Sequence, residues 1–314
     1  MSVQENKELL VSFVRDVIDG KNLDALEKYL SPNFFHHDLA PGEQTRQQTG
    51  AAGQRNFFSD VVFPAFDGFS TTFETLIGEG DLVAGRWRQT SRNAGPWLGR
   101  GATGKRTEIA GISIVRVRDG MIVEEWEGRD GTGLLRQLGV PVPKPTLPGT
   151  RIGTPRRASA DSRPFLTNGP LGDVRAADLL TAKALCASVY MDAWNTGDMD
   201  MLGKLLSDTF VLHDPTGLQP PNRNGTAALI TEFRTGLPDM SVTVDLQLAE
   251  GDKVVNRWTI RGTHKGKLLG VAGTGKRVST TGVSIQRFAG NQLVEEWQLW
   301  EQLPLFQQIG AIKF

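Results

Sequence analysis

The sequence has a single cysteine, no excess of charge of either sign and no long apolar run. One cysteine, Cys186, excludes an internal disulfide, and its position on the apolar side of a predicted helix is typical of a buried, inert thiol. Lysine plus arginine and aspartate plus glutamate number 35 each, so the chain lacks the net positive charge that nucleic acid or an anionic membrane would attract. No apolar run approaches the roughly 18 residues of a membrane span. Because the polar start also lacks an export signal, we expect a cytoplasmic protein.

Histidine is scarce as well. The four histidines never combine with aspartate or glutamate at a spacing typical of metal ligands. The sequence contains no dinucleotide-binding fingerprint and no nucleophile elbow. The glycine-containing stretch 103–106 is predicted to be a polar turn between strands rather than a phosphate loop, because no helix follows it. We therefore expect neither a metal nor a cofactor.

The chain repeats itself. Three segments recur 171 residues further on, since for example Glu250 follows Glu79 at that distance. The pairs are Glu79-Gly80-Asp81 with Glu250-Gly251-Asp252, Thr103-Gly104-Lys105-Arg106 with Thr274-Gly275-Lys276-Arg277, and Val123-Glu124-Glu125-Trp126 with Val294-Glu295-Glu296-Trp297. Nearer each start the spacing is 176, as between His37 and His213. We predict two homologous domains, 1–140 and 176–314, joined by a linker at 141–175 that is rich in proline.

Each copy begins with helical spacing of apolar residues and then changes to a period of two. In copy one the predicted strands cover 70–77, 82–90, 107–117 and 121–129, with a hairpin at Asp119-Gly120. Helices followed by an antiparallel sheet indicate an α+β fold in which a curved sheet packs on its own helices. We expect a cavity between the sheet and the helices.

The order of these motifs resembles the SnoaL-like polyketide cyclases, also described as ester cyclases, of the NTF2-like superfamily. The resemblance rests on His37-Asp38, Glu79-Gly80-Asp81, Arg86-Trp87, Thr103-Gly104-Lys105-Arg106, Val123-Glu124-Glu125-Trp126 and Asp130, and in copy two on Trp194-Asn195, His213-Asp214-Pro215, Arg257-Trp258, Gly262-Thr263-His264 and Trp297. It implies two cone-shaped α+β barrels with apolar pockets, and pairing through the sheets, here as an intrachain pseudo-dimer or as a homodimer. It also implies cofactor-free acid/base chemistry such as ring closure by aldol condensation.

The last strand of each copy carries the candidate acids. Alternation places Glu124, Trp126 and Asp130 on one face, and Glu295, Trp297 and Glu301 on the matching face of copy two. We expect the tryptophan face to be the interior, where burial would raise the pKa of a carboxyl group and suit it to acid/base catalysis. The resemblance assigns this catalytic role to Asp130 and, one methylene longer, to Glu301. The alternative for Asp130 is a capping residue, and Glu124 and Glu295 are predicted to pair with arginines.

The remaining candidates are assigned to catalysis or substrate binding. His37 and His213 are predicted either to stabilise an enolate or to hold a turn by hydrogen bonding to the backbone. His264, which matches Asn93 in copy one, is predicted to lie in a surface loop that reaches at most the pocket mouth. Arg86 and Arg257 face away from the tryptophans that follow them, so they bind substrate only if those tryptophans are outside. The predicted substrate-binding residues are Trp126, Trp297, Asp38, Asp214, Arg86, Arg257, Trp87, Trp258 and His264.

These observations predict a cofactor-independent cyclase or isomerase that transfers a proton next to the carbonyl of a small apolar compound. The competing hypothesis is a binding module of the same fold without catalysis. A third is that one copy is degenerate and serves only as a packing partner, since the carboxylate of copy two is altered and copy one lacks the Gly262-Thr263-His264 triplet.

Overall fold

The chain forms two compact units. The computed structural model describes residues 1–37, 50–143, 147, 176–215, 217–218, 221–300 and 302–312. Unit 1 covers Met1–Val142 and unit 2 covers Pro143–Lys313. Most of the predicted linker lies outside the described residues, as do Asp38 and Glu301. No helix in the described part of the chain is long and apolar enough to cross a membrane.

Unit 1 begins with helices and ends with a sheet and a short helix. Its elements are α1 (Val3–Phe13), a π-helical turn (Val14–Asp19), a 3-10 turn (Leu23–Ala25), α2 (Leu26–Tyr29), β1 (Leu30–His36), α3 (Gly50–Phe57), a second π-helical turn (Phe58–Val62), α4 (Phe63–Ala65), β2 (Phe66–Glu79), β3 (Leu82–Asn93), β4 (Arg106–Arg118), β5 (Met121–Arg129) and α5 (Gly131–Gln137).

Unit 2 repeats this order. Its elements are α6 (Ala176–Ser188), a π-helical turn (Val189–Trp194), α7 (Met199–Leu205), β6 (Leu206–His213), α8 (Arg223–Gly236), β7 (Ser241–Glu250), β8 (Lys253–Thr263), β9 (Arg277–Ala289), β10 (Gln292–Trp300) and α9 (Gln302–Ile309). The predicted α+β fold and its duplication are confirmed.

Local sequence explains where the elements begin and turn. Ser2 and Glu5 form a capping box at the start of α1. The predicted caps are confirmed, since Asn22 accepts a hydrogen bond from the Asp24 N–H and Asp198 from the Met201 N–H. At the predicted hairpin Asp119-Gly120, both residues have positive φ, which is typical of a tight two-residue turn.

Each sheet has five strands rather than the four predicted. The strand orders are β1-β5-β4-β3-β2 and β6-β10-β9-β8-β7. The additional strands β1 and β6 pair in parallel with β5 and β10, while the other neighbours are antiparallel. The last strand of each sheet is therefore flanked on both sides, which places its side chains in the middle of one half of the sheet.

The helices cover one face of each sheet, which we call the inner face; the opposite one is the outer face. In unit 1 the helices pack on Val83, Val115, Val117 and Ile122. In unit 2 they pack on a set that includes Val254, Trp258, Ile260 and Trp300. Trp126 and Trp297 are also buried but belong to neither of these cores.

A bulge in the last strand explains why the predicted interior face is wrong. Ile122 lies opposite Val117, but Glu124 lies opposite Arg116, so β5 has one residue more than β4 at this point. Such an extra residue reverses the alternation that follows it. Ile122 therefore faces the helices, whereas Glu124 and Trp126 face outward. Unit 2 has the same irregularity between Leu293 and Glu295.

Candidate active site

The inner face of β10 carries a buried carboxyl group. Glu296 is only 4% exposed, and its Cα partners are Gln286 on β9 and Leu212 on β6. Its counterpart on β5 of unit 1 is Glu125, which lies opposite the core residue Val115. The sequence analysis considered the neighbouring glutamates, Glu124 and Glu295, and so missed the pair that faces the helices.

Polar side chains of the sheet approach Glu296 through the core of unit 2. The amide of Gln247 donates to Asn256 Oδ1 at 2.6 Å, and the Asn256 amide donates to Gln286 Oε1 at 3.1 Å. Gln286 and Ser284 both hydrogen-bond to the Glu296 carboxyl group. Buried polar groups are stable only when they are paired in this way, so the network holds the glutamate in one position.

A small cavity adjoins this carboxyl group. It is lined by Val189, Tyr190, Trp194, Leu212, Thr226, Leu229, Glu296 and Gln298. It offers about 10 Å³ to the centre of a water molecule, which is room for about one water. The π-helical turn of unit 2 supplies three of the lining residues. The Thr226 hydroxyl has no hydrogen-bond partner among the described residues.

Burial changes the acidity of the groups in this core. It raises the pKa of Glu296, and the hydrogen bonds from Gln286 and Ser284 oppose that rise only in part. Burial raises the pKa of Tyr190 well above its ordinary value, and the charge of Glu296 adds to the effect. Burial likewise raises the pKa of the Cys186 thiol, which agrees with its predicted inertness.

The tryptophans that follow Arg86 and Arg257 lie on the inner face. The indole N–H of Trp87 donates to Ser113 Oγ at 3.0 Å, and that of Trp258 donates to Ser284 Oγ at 3.1 Å. Each indole covers a glycine on the next strand, where an added Cβ would approach it to within 1.9 Å at Gly111 and 2.2 Å at Gly282. These glycines therefore leave the space that the rings occupy.

Arg86 and Arg257 consequently lie on the outer face, which corrects their predicted role in substrate binding. Arg86 forms an ion pair with Glu74 on β2. Arg257 NH1 lies 2.6 Å from Asp245 Oδ2 on β7. Because side chains of neighbouring residues point to opposite faces of a strand, an inward tryptophan leaves the preceding arginine outside.

The two candidate histidines also lie on the outer face. His37 Nε2 is 3.2 Å from Glu124 Oε1, and the imidazole stacks on Trp126 with ring centres 4.4 Å apart. Arg116 Nε lies 2.7 Å from the other oxygen of Glu124. The predicted pairing of Glu124 with an arginine is confirmed. Neither Trp126 nor His37 faces the helices, which corrects the interior position expected for Trp126 and places the histidine away from the core.

Unit 2 repeats this outer cluster. His213 Nε2 lies 2.8 Å from Glu295 Oε1, Arg287 Nε lies 2.8 Å from Glu295 Oε2, and His213 stacks on Trp297. Burial would raise the pKa of Glu295, but the hydrogen bonds from His213 and Arg287 outweigh it and hold that pKa below its usual value. His213 and Trp297 therefore stabilise the outer surface of the sheet, and the predicted interior position of Trp297 is wrong.

Asp130 adopts the alternative role considered for it. Its Oδ1 accepts a hydrogen bond from the Gly133 N–H at 2.7 Å and so caps α5. A catalytic role for Asp130 stays a prediction, as it does for Glu301 and Asp38, which lie outside the described residues. Asp214 directly follows β6 and is half-buried; its part in binding is likewise untested.

His264 does not lie on the surface, which corrects its predicted exposure. It is 0% exposed, and its Nδ1 is 3.0 Å from Thr274 Oγ1. Burial lowers its pKa. In unit 1 the matching Asn93 accepts hydrogen bonds from the backbone and hydroxyl of Thr103. Both residues hold the connection between the third and fourth strands of their sheet, so the role is structural.

No group of three or more His, Cys, Asp or Glu side chains in the described ranges is placed to hold a metal ion. The inner-face residues Glu125, Glu296, His36 and Tyr190 were missed from the sequence. The doubled glutamate of both copies was the available signal, but it did not reveal which member faces inward. Aligning the two copies would have drawn attention to His36, because Leu212 stands in its place 176 residues later.

Comparisons with known proteins agree with the internal duplication. The family model for the SnoaL-like polyketide cyclases matches residues 8–138 and 184–309. AclR from Streptomyces galilaeus, assigned provisionally as a hydroxylase, is similar in structure with 29% identity, 43% of this chain and 89% of AclR covered, and a TM-score of 0.40. For TsrD from Streptomyces laurentii the values are 27%, 42%, 97% and 0.39. For IdmH from Streptomyces antibioticus, assigned provisionally as a polyketide cyclase, they are 27%, 41%, 97% and 0.36. No curated protein matches the sequence significantly.

Proposed function

Because the chain belongs to the SnoaL-like polyketide cyclase family, we propose that it is a cofactor-independent acid/base enzyme of the cyclase or isomerase type. In this proposal it moves a proton next to the carbonyl of a small apolar compound. The observation that carries the proposal is Glu296, a carboxyl group on the inner face of unit 2 whose pKa is raised by burial and which borders a cavity. A raised pKa brings a carboxyl group closer to neutrality, where general acid/base catalysis is most efficient.

The groups around Glu296 suit proton transfer at carbon. The carboxylate would remove a proton from the carbon next to the carbonyl, and the electron pair of that C–H bond would form the enolate. The Thr226 hydroxyl borders the same cavity and can donate to the enolate oxygen. Return of the proton to another atom, or attack of the enolate on a second carbonyl, would complete an isomerisation or a ring closure.

The size of the cavity sets a condition on this proposal. Room for about one water is far below the roughly 300 to 1,000 Å³ of a typical ligand pocket. A substrate would therefore have to displace α8 or the π-helical turn of unit 2 from the sheet. The same packing favours the competing proposal, in which the fold is retained without catalysis and the buried polar groups stabilise a unique core.

Deuterium incorporation tests the proposal directly. In D2O, the full chain should exchange the protons next to the carbonyl of 2-pentanone, a small apolar ketone, as followed by NMR. Glu296→Gln should lower the exchange rate by about 100- to 10,000-fold, because it removes the proton carrier. Glu295→Gln is the matched control, since it makes the same change on the outer face of the same strand and should leave the rate unaltered.

The other outcomes separate the alternatives. A wild-type exchange rate in Glu296→Gln together with a loss in Asp130→Asn would move the site to the residue that the family resemblance assigns. No exchange of 2-pentanone or of a wider panel of ketones by the wild-type chain would contradict the enzyme proposal and favour a binding module.

A further inference from the structure

The inner face of unit 1 carries four ionisable side chains in a row. They are His36 on β1 and Glu125, Glu127 and Arg129 on β5. His36 is the Cα partner of Glu125, and His36 Nε2 lies 3.9 Å from Glu125 Oε2. Arg129 NH1 lies 3.6 Å from Glu127 Oε2. Two oppositely charged pairs therefore follow each other along one strand.

These side chains face the helices. Phe34, two residues before His36, belongs to the helix-packed core of unit 1 and its ring contacts the imidazole edge to face. Glu125 lies opposite the core residue Val115, and Glu127 lies opposite Ser113, which binds the indole of Trp87. Directly opposite residues of paired strands share a face of the sheet.

Exposure increases along the row. The side chain of His36 is 6% exposed and that of Glu125 is 13% exposed. Glu127 follows at 16% and Arg129 at 35%. The row therefore runs from an enclosed imidazole to an arginine that meets solvent. A solute approaching this face from solvent would meet the guanidinium first and the imidazole last.

Unit 2 shows that the fold does not need these charges. The matching positions hold Leu212 for His36, Gln298 for Glu127 and Trp300 for Arg129, and Glu296 for Glu125. Leu212 and Trp300 are part of the unit 2 core. Burying an imidazole and charged groups costs free energy that leucine and tryptophan at the same places do not. Their presence in unit 1 therefore calls for a role other than packing.

We propose that unit 1 holds a second acid/base site, in which His36 carries the proton, Glu125 positions the imidazole and Arg129 binds a carboxylate of the substrate. The substrate class is a ketone that bears a carboxylate group. A guanidinium has five N–H donors, more than one carboxylate can use, so Arg129 can bind a substrate anion while it remains beside Glu127. This site is independent of the one proposed for unit 2.

The chemical step balances without a cofactor. The imidazole of His36 takes a proton from the carbon next to the ketone, and the electron pair of that C–H bond forms the C=C bond of the enolate. The carbonyl oxygen then carries the negative charge. Glu125 stabilises the imidazolium that results. The imidazolium exchanges its proton with solvent and returns one to the carbon, so nothing is oxidised or reduced.

Levulinate, a ketone with a carboxylate, is the probe. With the full chain in D2O, we expect NMR to show deuterium at its ketone-flanking carbons at a rate above that of buffer. His36→Leu should lower this rate by about 100-fold or more, while circular dichroism and the thermal midpoint stay unaltered, because unit 2 already holds leucine at this place. Arg129→Gln should raise KM for levulinate and leave kcat nearly constant, as loss of uniform binding predicts.

The positioning residue needs a readout of its own. Glu125→Gln should lower kcat without a change in KM, and Glu125→Asp should restore part of the loss. Glu124→Gln, the same change on the outer face, is the control that should alter neither constant.

Crossing the variants separates this inference from the proposed function. Glu296→Gln should abolish exchange of 2-pentanone and leave exchange of levulinate intact. If Glu296→Gln abolishes both, the reaction belongs to unit 2 alone, and the second site is disproved while the proposed function stands. Exchange of levulinate at the wild-type rate by His36→Leu, or no exchange by the wild-type chain, would overturn the inference.

Discussion

The two sheets pair strand for strand, yet their inner faces differ in charge. Unit 1 places an imidazole, two carboxylates and a guanidinium toward its helices, whereas unit 2 places one carboxyl group there among neutral amides and aromatic rings. The outer faces do not differ in this way. Each repeats the same histidine, glutamate, arginine and tryptophan with nearly the same contacts.

This difference separates what the fold requires from what it permits. The repeated outer cluster and the tryptophan that covers a glycine on the inner face occur in both units, so they belong to the architecture. The amide network of unit 2 has no counterpart, because Leu76, Gly85 and Val115 stand where unit 2 has Gln247, Asn256 and Gln286. Each inner face is therefore free to carry its own chemistry.

The largest expected effect concerns the covering tryptophans. Trp258 contacts Tyr190 and Trp194, and Trp258→Ala should lower the free energy of unfolding of unit 2 by about 3 to 5 kcal/mol. Trp87 lacks such aromatic partners among the described residues, so Trp87→Ala should cost less in unit 1. Amide hydrogen exchange, read separately for each unit, measures both. An equal or greater loss in unit 1 would break the distinction.

Exchanging the residues beside the two inner glutamates tests whether unit 1 carries a stability cost. His36→Leu should leave the free energy of unfolding of unit 1 equal or higher, because it removes a buried polar ring. Leu212→His should lower that of unit 2 by about 1 to 3 kcal/mol, because it buries one. Urea denaturation of both variants, with the same per-unit readout, provides the measurement. A destabilised His36→Leu chain would show that the imidazole serves packing.

The two neighbouring glutamates of β10 should respond oppositely to pH. The folded pKa of Glu296 is raised above its ordinary 4.5, so its contribution to the stability of unit 2 is greatest below that value and declines as the pH rises through it toward the folded pKa. The folded pKa of Glu295 is lowered from 4.5, so its contribution is present above that value and is lost as the pH falls toward the folded pKa.

Urea unfolding of unit 2 as a function of pH measures this contrast. Glu296→Gln should remove the decline at higher pH, and Glu295→Gln should remove the loss at low pH. If Glu296→Gln left the pH dependence of unit 2 as it is in the wild-type chain, its carboxyl group would have to ionise normally inside the core.

The smallest effect is expected at the outer clusters. His213 is largely exposed, and ion pairs near the surface contribute little because water and salt screen them. His213→Ala and His37→Ala should each lower the free energy of unfolding of their own unit by about 0.2 to 1 kcal/mol, and by similar amounts. Raising the salt concentration should reduce both effects. A much larger loss in one unit would show that its outer cluster has acquired a separate role.

Much of the fold follows from patterns that are local in the chain. The 171-residue repeat, the helix caps at Asn22 and Asp198, and the hairpin at Asp119-Gly120 are all predicted from a few adjacent residues. The edge strands β1 and β6 were missed, because they are short, follow a helix directly and pair with a strand distant in the chain. Parallel pairing of this kind has no turn signal in the sequence.

The candidate site was harder to predict for a related reason. Alternation sorts the residues of β5 and β10 into two faces, but it does not say which face meets the helices. A large aromatic residue was the natural indicator of the interior, and here Trp126 and Trp297 are buried on the outer face instead. Glu125 and Glu296 were therefore assigned to the wrong side, and His264 was expected on the surface because a loop position reveals nothing about what packs over it.

The sequence by itself determined that the chain has two homologous α+β units, where their helices begin and turn, and which residues alternate along each strand. Only the tertiary structure decided which of two adjacent glutamates is buried. The physical reason is that a bulge of one residue reverses the direction of every later side chain, and it is the packing of distant helices against one face that makes that face the interior.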